Sequence, residues 1–251
     1  MHDHNLYFYT SSEKKHKLLF SNLKAGLDKG CSTLYIASGE SIDNVKVEMK
    51  DFGLKVREPE KLRIVTSHQW YTLNGEFNAD GVVKQYSSLI EESLDKGFEG
   101  LFISADVADT FNYLSGNLDP WLKYESSFSR GFKLEMEAIC AYPVDQVESK
   151  SKVLLQLIQS HRNTITSKTE TLIDNRKLCL DIISQELDDL FGEHMSKYIF
   201  NLVERDFKLP KRRIPDRIEQ FNRVLESLFG HTISMILRER ILRTLTEELE
   251  F

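Results

Sequence analysis

Along the first half of the chain, short runs that are apolar almost throughout alternate with stretches of helical periodicity. "NLYFYT" (5–10) predicts a first strand, and Thr10 with Glu13 reads as a capping box opening a helix that runs toward Gly30. Leu34-Tyr35-Ile36-Ala37 predicts the next strand, and Ser41 caps a helix that stops at Gly53. "LRIVTS" (62–67) is a third strand, followed by a loop through Asn74-Gly75 and a helix to Lys96-Gly97. "GLFISAD" (100–106) and "AICAYP" (138–143) are the fourth and fifth. Between them, Asp119-Pro120 places proline in the first turn of a helix bearing Trp121, Tyr124, Glu125 and Phe128. Strands that are apolar on both faces and separated by helices predict a three-layer α/β fold with a mostly parallel sheet.

From about Asp145 onward the pattern offers no strand. "VLLQLIQSHRNTI" and "KLCLDIISQELDDLF" have helical periodicity, with the polar stretch "TSKTETLIDN" between them. "LPKRRIP" (209–215) interrupts the helices with two prolines. Leu190-Phe191-Gly192-Glu193-His194-Met195-Ser196 is echoed by Leu228-Phe229-Gly230-His231-Thr232-Ile233-Ser234, which suggests two related helical hairpins. The expected organisation is an α/β domain over 1–150, a helical connector over 151–184 and an all-α domain over 185–251.

Composition narrows the function. The 251 residues carry a net charge of −6, which argues against coating nucleic acid or an anionic membrane along the chain. No run approaches the ~18 apolar residues of a membrane span. The amino end has no signal-peptide pattern, so a cytosolic protein is expected. Cys31, Cys140 and Cys179 are far apart without CxxC spacing and read as small buried side chains. His2, His4 and His16 lack a Cys or His pair at helical spacing, so neither a metal nor another cofactor is implied, and His4 reads as packing the start of the first strand.

The stretch "TLYIASGESIDNVK" has the strand–loop–helix layout of a phosphate loop. Gly39 has no glycine partner before Gly53, Lys46 lies too far into the helix, and Glu40 would repel phosphate. Asp106 resembles the metal-binding acid of an ATPase, but without the loop it has no cation to hold. ATP hydrolysis is therefore not expected. Ligands of open α/β sheets bind beyond the carboxyl ends of the strands. Candidate ligand-binding residues there are Ser38, Gly39, Glu40, His68, Tyr71, Asp106, Trp121, Tyr124, Glu125 and Tyr142, a set more aromatic than a triphosphate site requires. Taken singly, each aromatic also fits a core position.

Cys140 with His68 invites a thiol-nucleophile reading, but a mid-strand thiol facing a core has a raised pKa and little access. Glu125 and Asp106 act as an acid/base pair only if they converge, and a buried glutamate bonded to a tyrosine is the simpler expectation. The one basic cluster, "KLPKRRIPDR", offers Lys211, Arg212, Arg213 and Arg217 to phosphate. From Ser151 on, 16 basic residues face 16 acidic ones, so a solvated connection is the plainer reading of it.

The run His4 to Tyr9, "GLDKGCSTLYIASGE", "NGEFNADGVV", "KGFEGLFISAD", "KYESSF" and "ICAYP" together resemble the MEDS domain, the methanogen/methylotroph sensory domain associated with dichloromethane-responsive regulators. The likeness covers about residues 3 to 165. It implies a RecA- or KaiC-like fold with a degenerate phosphate loop that senses small hydrocarbon-derived ligands beside a signalling or DNA-binding partner. The motif residues it points to are His4, Tyr9, Glu76, Phe77, Tyr124, Glu125, Cys140 and Tyr142. The chain departs in having Phe102 and Ala105 where relatives more often carry polar groups, and in lacking a proline after His161. Its helical end more loosely resembles small output domains of sensors in ammonia-oxidising archaea, through "LFGEHMSKYIF" and "FNRVLESLFGHTISMIL".

The expected protein is a non-enzymatic sensor of a small organic ligand, without cofactor or membrane partner. Its helical end would signal or form a homodimer through Ile233, Ile236, Leu237, Ile241, Leu242 and Leu245. Two other classes stay open on the residues alone: a weak ATP-binding switch, and a DNA-binding regulator acting through the basic loop.

Overall fold

The computed structural model describes residues 3–249 except 56–57, 59, 115, 129–135, 149 and 167–168. The chain divides into two units, Met1–Leu172 and Ile173–Phe251. The first begins with β1 (His4–Tyr9), α1 (Ser12–Asp28), β2 (Ser32–Ala37), α2 (Ile42–Asp51) and β3 (Leu62–Thr66). A short helix α3 (Ser67–Tyr71) leads to the two-residue strands β4 (Thr72–Leu73) and β5 (Glu76–Phe77), then α4 (Ala79–Asp95) and β6 (Leu101–Asp106). After a 3-10 turn (Ala108–Leu114) come α5 (Asp119–Phe128), β7 (Met136–Pro143), α6 (Val144–Val147), α7 (Ser151–Ser160) and β8 (Asn163–Ile165), and β9 (Leu172–Asp174) spans the boundary with the second unit.

The main sheet has the order β3-β2-β6-β7-β1-β8-β9, with β4 and β5 forming a separate antiparallel pair. From β3 through β8 every neighbouring pair is parallel, so all these strands end at one edge. This is the three-layer, mostly parallel sheet expected from the apolar strands.

Strand alternation sorts the side chains onto two faces. On one, Tyr7, Tyr9, Tyr35, Ala37, Ile139 and Ala141 pack with Leu19, Phe20 and Leu23 of α1 and Val45 and Met49 of α2. On the other lie Leu6, Phe8, Ile103, Ala105, Cys140 and Tyr142, all buried, where Leu6 stands beside Cys140 and Phe8 beside Tyr142. Helices α4 and α5 cover this second face, and α7 packs on α5.

Three local expectations are corrected. The cap of α1 is Ser11, whose hydroxyl accepts from the Lys14 N–H at 3.4 Å, so the helix is capped one residue after Thr10 and the predicted Thr10–Glu13 box does not form. The helix predicted through "VLLQLIQSHRNTI" ends at Ser160, and Asn163–Ile165 forms β8 instead. Three residues are too few to show a period of two. Their strand character comes from pairing with Asn5–Tyr7 and from the Asn163 amide donating to Asn5 Oδ1 at 2.8 Å. The strand β9 likewise lies in a stretch read as polar connection.

The second unit holds α8 (Asn175–Phe191), α9 (Glu193–Phe207), α10 (Ile218–Phe229) and α11 (His231–Glu248). The two echoed motifs are structural equivalents. Gly192 and Gly230 each join a helix pair at φ of 80°, a conformation that a residue with a Cβ rarely adopts, and the preceding Phe191 and Phe229 stack with ring centroids 5.0 Å apart. Glu186 of α8 accepts from Arg240 and, at 2.6 Å, from Thr244 of α11. Leu237, Ile241 and Leu245 of α11 are buried, whereas Ile233 and Ile236 are exposed. Lys211, Arg212, Arg213 and Arg217 are all exposed on two 3-10 turns, with the Lys211 ammonium 4.1 Å from the Phe200 ring centroid.

Candidate functional site

The ten candidate ligand residues separate into two groups on opposite faces of the sheet, with His68 apart from both. His68 is exposed, and its ring meets the edge of Tyr113 at 5.5 Å.

The first group lies on the α1 face, at the carboxyl ends of β1, β2 and β6. Ser38 Oγ donates to the Asp106 carbonyl at 2.9 Å and accepts from the Asp109 N–H at 3.2 Å. The Gly39 N–H, the group that a phosphate loop would aim at its ligand, donates to the Asp109 carboxylate. This loop already holds an anion from its own chain. The connection from β1 to α1 is only Thr10 and Ser11, without glycine, and is too short to wrap a phosphate.

Lys15, in the first turn of α1, is the residue that sequence reasoning missed. Its ammonium donates to Asp106 Oδ2 at 2.8 Å and also pairs with Glu40, with only 3% of the side chain exposed. Asp106 further accepts from Tyr9 Oη at 3.0 Å and the Ala108 N–H at 3.2 Å. Asp106 therefore does hold a cation, and it is a lysine of the same chain. Burial opposes charge on Lys15, but Asp106 and Glu40 outweigh it and raise its pKa. Burial pulls Asp106 upward, against Lys15, Ala108 and Tyr9, which favour its ionised form.

Burial also opposes charge on Glu40, yet bonds from His16 and Lys15 prevail and lower its carboxyl to about 2. The resulting stability is fully present above the ordinary value of 4.5 and is lost as pH falls through about 2. Between those limits the chain should lose stability relative to Glu40→Gln as pH falls, by less than about 1.4 kcal/mol per pH unit because water screens the half-buried carboxylate. Urea unfolding of both proteins at a series of acidic pH values checks this; parallel curves would show that Glu40 is not held by these partners.

The second group lies on the other face, under α5. Trp121 Nε1 donates to Tyr142 Oη at 3.0 Å, and Tyr142 Oη donates to Glu125 Oε1 at 2.6 Å. The Trp121 ring meets Tyr71, Phe77 and Tyr124 with centroids 5.1, 5.4 and 5.0 Å away. Tyr124 continues the layer to Phe128 at 4.7 Å. The tyrosine-bonded glutamate expected from the sequence is thus present, inside an aromatic layer.

Beside it stand His4 of β1, Cys140 of β7 and His161 after α7. His4 Nε2 is 3.2 Å from Cys140 Sγ, and Glu125 Oε2 lies 3.6 Å from the Nε2 atoms of both His4 and His161. Burial pushes Glu125 up to about 8 and His4 down to about 4, raises Cys140 and lowers His161. Burial thus favours the uncharged form of all four groups. His161 was absent from the sequence-derived set; its one signal was its place at the end of the α7 periodicity.

Two chemical pairings are excluded by this geometry. Asp106 faces α1 while Glu125 sits under α5 across the sheet, so they do not converge as acid and base. Cys140 meets His4 rather than the exposed His68, and its raised pKa leaves it a thiol rather than a nucleophile. His2 lies outside the described residues; His16 bonds to Glu40 at 3.0 Å, not to His4. A groove of about 430 Å³ opens at the opposite, amino-terminal edge of the sheet, between Lys29, Glu99, Phe102 and Glu137.

A family model for the methanogen/methylotroph, DcmR sensory domain, MEDS, matches residues 3–162. The chain belongs to the MEDS family. The match ends beside His161, so the family's region contains both groups and all of β1 through α7. Among curated proteins no sequence matches significantly. A chain from Pyrococcus horikoshii OT3, solved in a structural project, aligns at 11% identity over 68% of this chain and 85% of its own, with a TM-score of 0.48. The assembled ATPase EscN of the enteropathogenic E. coli type III secretion system aligns at 12% identity over 97% of this chain and 67% of its own, with a TM-score of 0.43. No described helix of this MEDS protein is long and apolar enough to cross a membrane.

Proposed function

We propose that this MEDS protein is a non-enzymatic sensor that takes a small organic, hydrocarbon-derived molecule against the aromatic layer of the α5 face and signals through its helical second unit. The observation that carries this reading is the layer itself: Tyr71, Trp121, Tyr124 and Tyr142 enclose one carboxyl group, the apolar-with-few-polar chemistry of a small-molecule site. The other face supports it by contrast, because Asp109 and Lys15 occupy the places that a phosphate and its counter-cation would need. Ligand acts by its differential affinity for two states of the protein, with the second unit serving as output or as a homodimer contact.

Melting of the full chain with a panel of small alcohols, amines, thiols and halogenated hydrocarbons tests the reading. Ligand at 100 times its dissociation constant adds about 2.7 kcal/mol. A raised Tm with at least one compound, lost in Tyr124→Ala, is expected; a panel without effect contradicts it.

A second reading, an ATP-responsive switch of RecA-like descent, draws on the lysine and two carboxylates gathered at the carboxyl edge. Binding of ATP–Mg²⁺ that disappears in Lys15→Met would favour it. A DNA partner would use exposed Arg212 and Arg213, and would show as salt-dependent binding to random duplex.

A further inference from the structure

We propose that His4, Glu125, Cys140 and His161 bind one divalent transition-metal ion of the zinc class. The proposal concerns the α5 face but stands without the sensing role.

The four donor atoms all lie within 4.8 Å of one another. Three of the separations are 3.2, 3.6 and 3.6 Å. A tetrahedron with bonds of about 2.0–2.3 Å to nitrogen, oxygen and sulfur has edges of about 3.3–3.8 Å, so the atoms stand close to coordination distance around a common centre. Two of the atoms turned away from that centre are engaged, while His4 Nδ1 is buried without a hydrogen-bond partner among the described residues. His161 Nδ1 meets the Leu157 carbonyl at 2.7 Å, the bond that leaves Nε2 as the lone-pair nitrogen. Glu125 Oε1 accepts from Tyr142, which is held in turn by Trp121. By contrast Glu125 Oε2 is buried without a hydrogen-bond partner among the described residues. A buried carboxyl with one oxygen bonded outward and the other left bare toward two imidazoles and a thiol is the arrangement of a ligand set.

Charge agrees. The two imidazoles are neutral, and a bound M²⁺ would displace the protons of Glu125 and Cys140 to solvent. Two anionic ligands then cancel the cation, leaving the buried site uncharged. One sulfur and two nitrogens favour zinc, cobalt, nickel or iron over magnesium and calcium, which take oxygen. The other described group of this type, His16, Glu40 and Glu48, already has the Lys15 ammonium on Glu40 and carries no such proposal.

The test uses the full chain, stripped with chelator and titrated with Co²⁺ alone. The expected result is saturation at one ion per chain, with the visible bands of tetrahedral cobalt and a thiolate-to-cobalt charge-transfer band. Zinc should bleach both, and about two protons should be released per ion. Cys140→Ser should abolish the charge-transfer band. Tyr142→Phe, which removes the bond to Glu125 and also the acceptor of the Trp121 N–H, should keep the band and weaken binding about 10–100-fold. No saturable binding by the wild-type chain, or a charge-transfer band that persists in Cys140→Ser, overturns the proposal. The wild-type titration and proton count decide the matter even if a variant fails to fold. Because no organic compound is present, failure here is distinct from failure of the sensor reading.

Discussion

Lys15→Met should lower the unfolding free energy by about 3–5 kcal/mol, the effect of removing one partner from a buried ion pair. The lysine is nearly inaccessible, and its partner Asp106 is only 1% exposed. Without the ammonium, Asp106 must either stay ionised with only Tyr9 and the Ala108 N–H to bond it, or take up a proton against its ordinary value. Glu40 loses a partner as well but keeps His16 and is partly exposed, so it contributes less. Urea denaturation measures the loss. The double variant Lys15→Met/Asp106→Asn should recover a large part of it, because the penalty lies in the orphaned charge rather than in lost packing. A single-variant loss below about 1 kcal/mol, a value typical of exposed pairs, would show that the ammonium is not buried as described.

Trp121→Ala should destabilise by about 3–5 kcal/mol through the cavity left by a fully buried indole. Its ring is 0% exposed and meets three aromatic rings of α3, β5 and α5. The change also removes the donor to Tyr142, the residue that orients Glu125. Trp121→Phe separates the two effects: it retains most of the ring contact and should lose only about 1–2 kcal/mol, chiefly the hydrogen bond. Equal losses in the two variants would mean that the bond to Tyr142, not packing, dominates at this position.

Much of this was legible in the sequence, for physical reasons that differ along the chain. The strands around Leu34–Ala37 and Leu101–Asp106 are buried on both faces, so they read as unbroken apolar runs. The Gly192 and Gly230 joints were legible because an identical backbone requirement left an identical short motif. Strands β8 and β9 were not, since three residues carry no periodicity and their partners are distant in sequence. Within the site, residue types were legible and grouping was not. Spacing does not say whether Asp106 and Glu125 meet; the strand register turns Asp106 to the α1 face, while Glu125 lies on α5 across the sheet. Lys15 is one of four lysines on α1, with nothing in the sequence to set it apart. Its burial follows from a connection so short that the first turn of α1 lies over the carboxyl end of the sheet. His4 and His161 are 157 positions apart, and only the pairing of β1 with β8 brings them together.

The two faces give the protein a consistent logic. On the α1 face, Lys15, Asp106 and Glu40 neutralise one another, and Asp109 accepts the Gly39 N–H. On the α5 face, aromatic rings surround a neutral polar cluster. The nucleotide arm of the melting series tests that division most directly. Saturating ATP–Mg²⁺ should leave the Tm of the wild-type chain unchanged, while an organic compound raises it. A nucleotide-induced rise in Tm that disappears in Lys15→Met would contradict the account, because it would make Lys15 a phosphate ligand rather than an internal counter-ion.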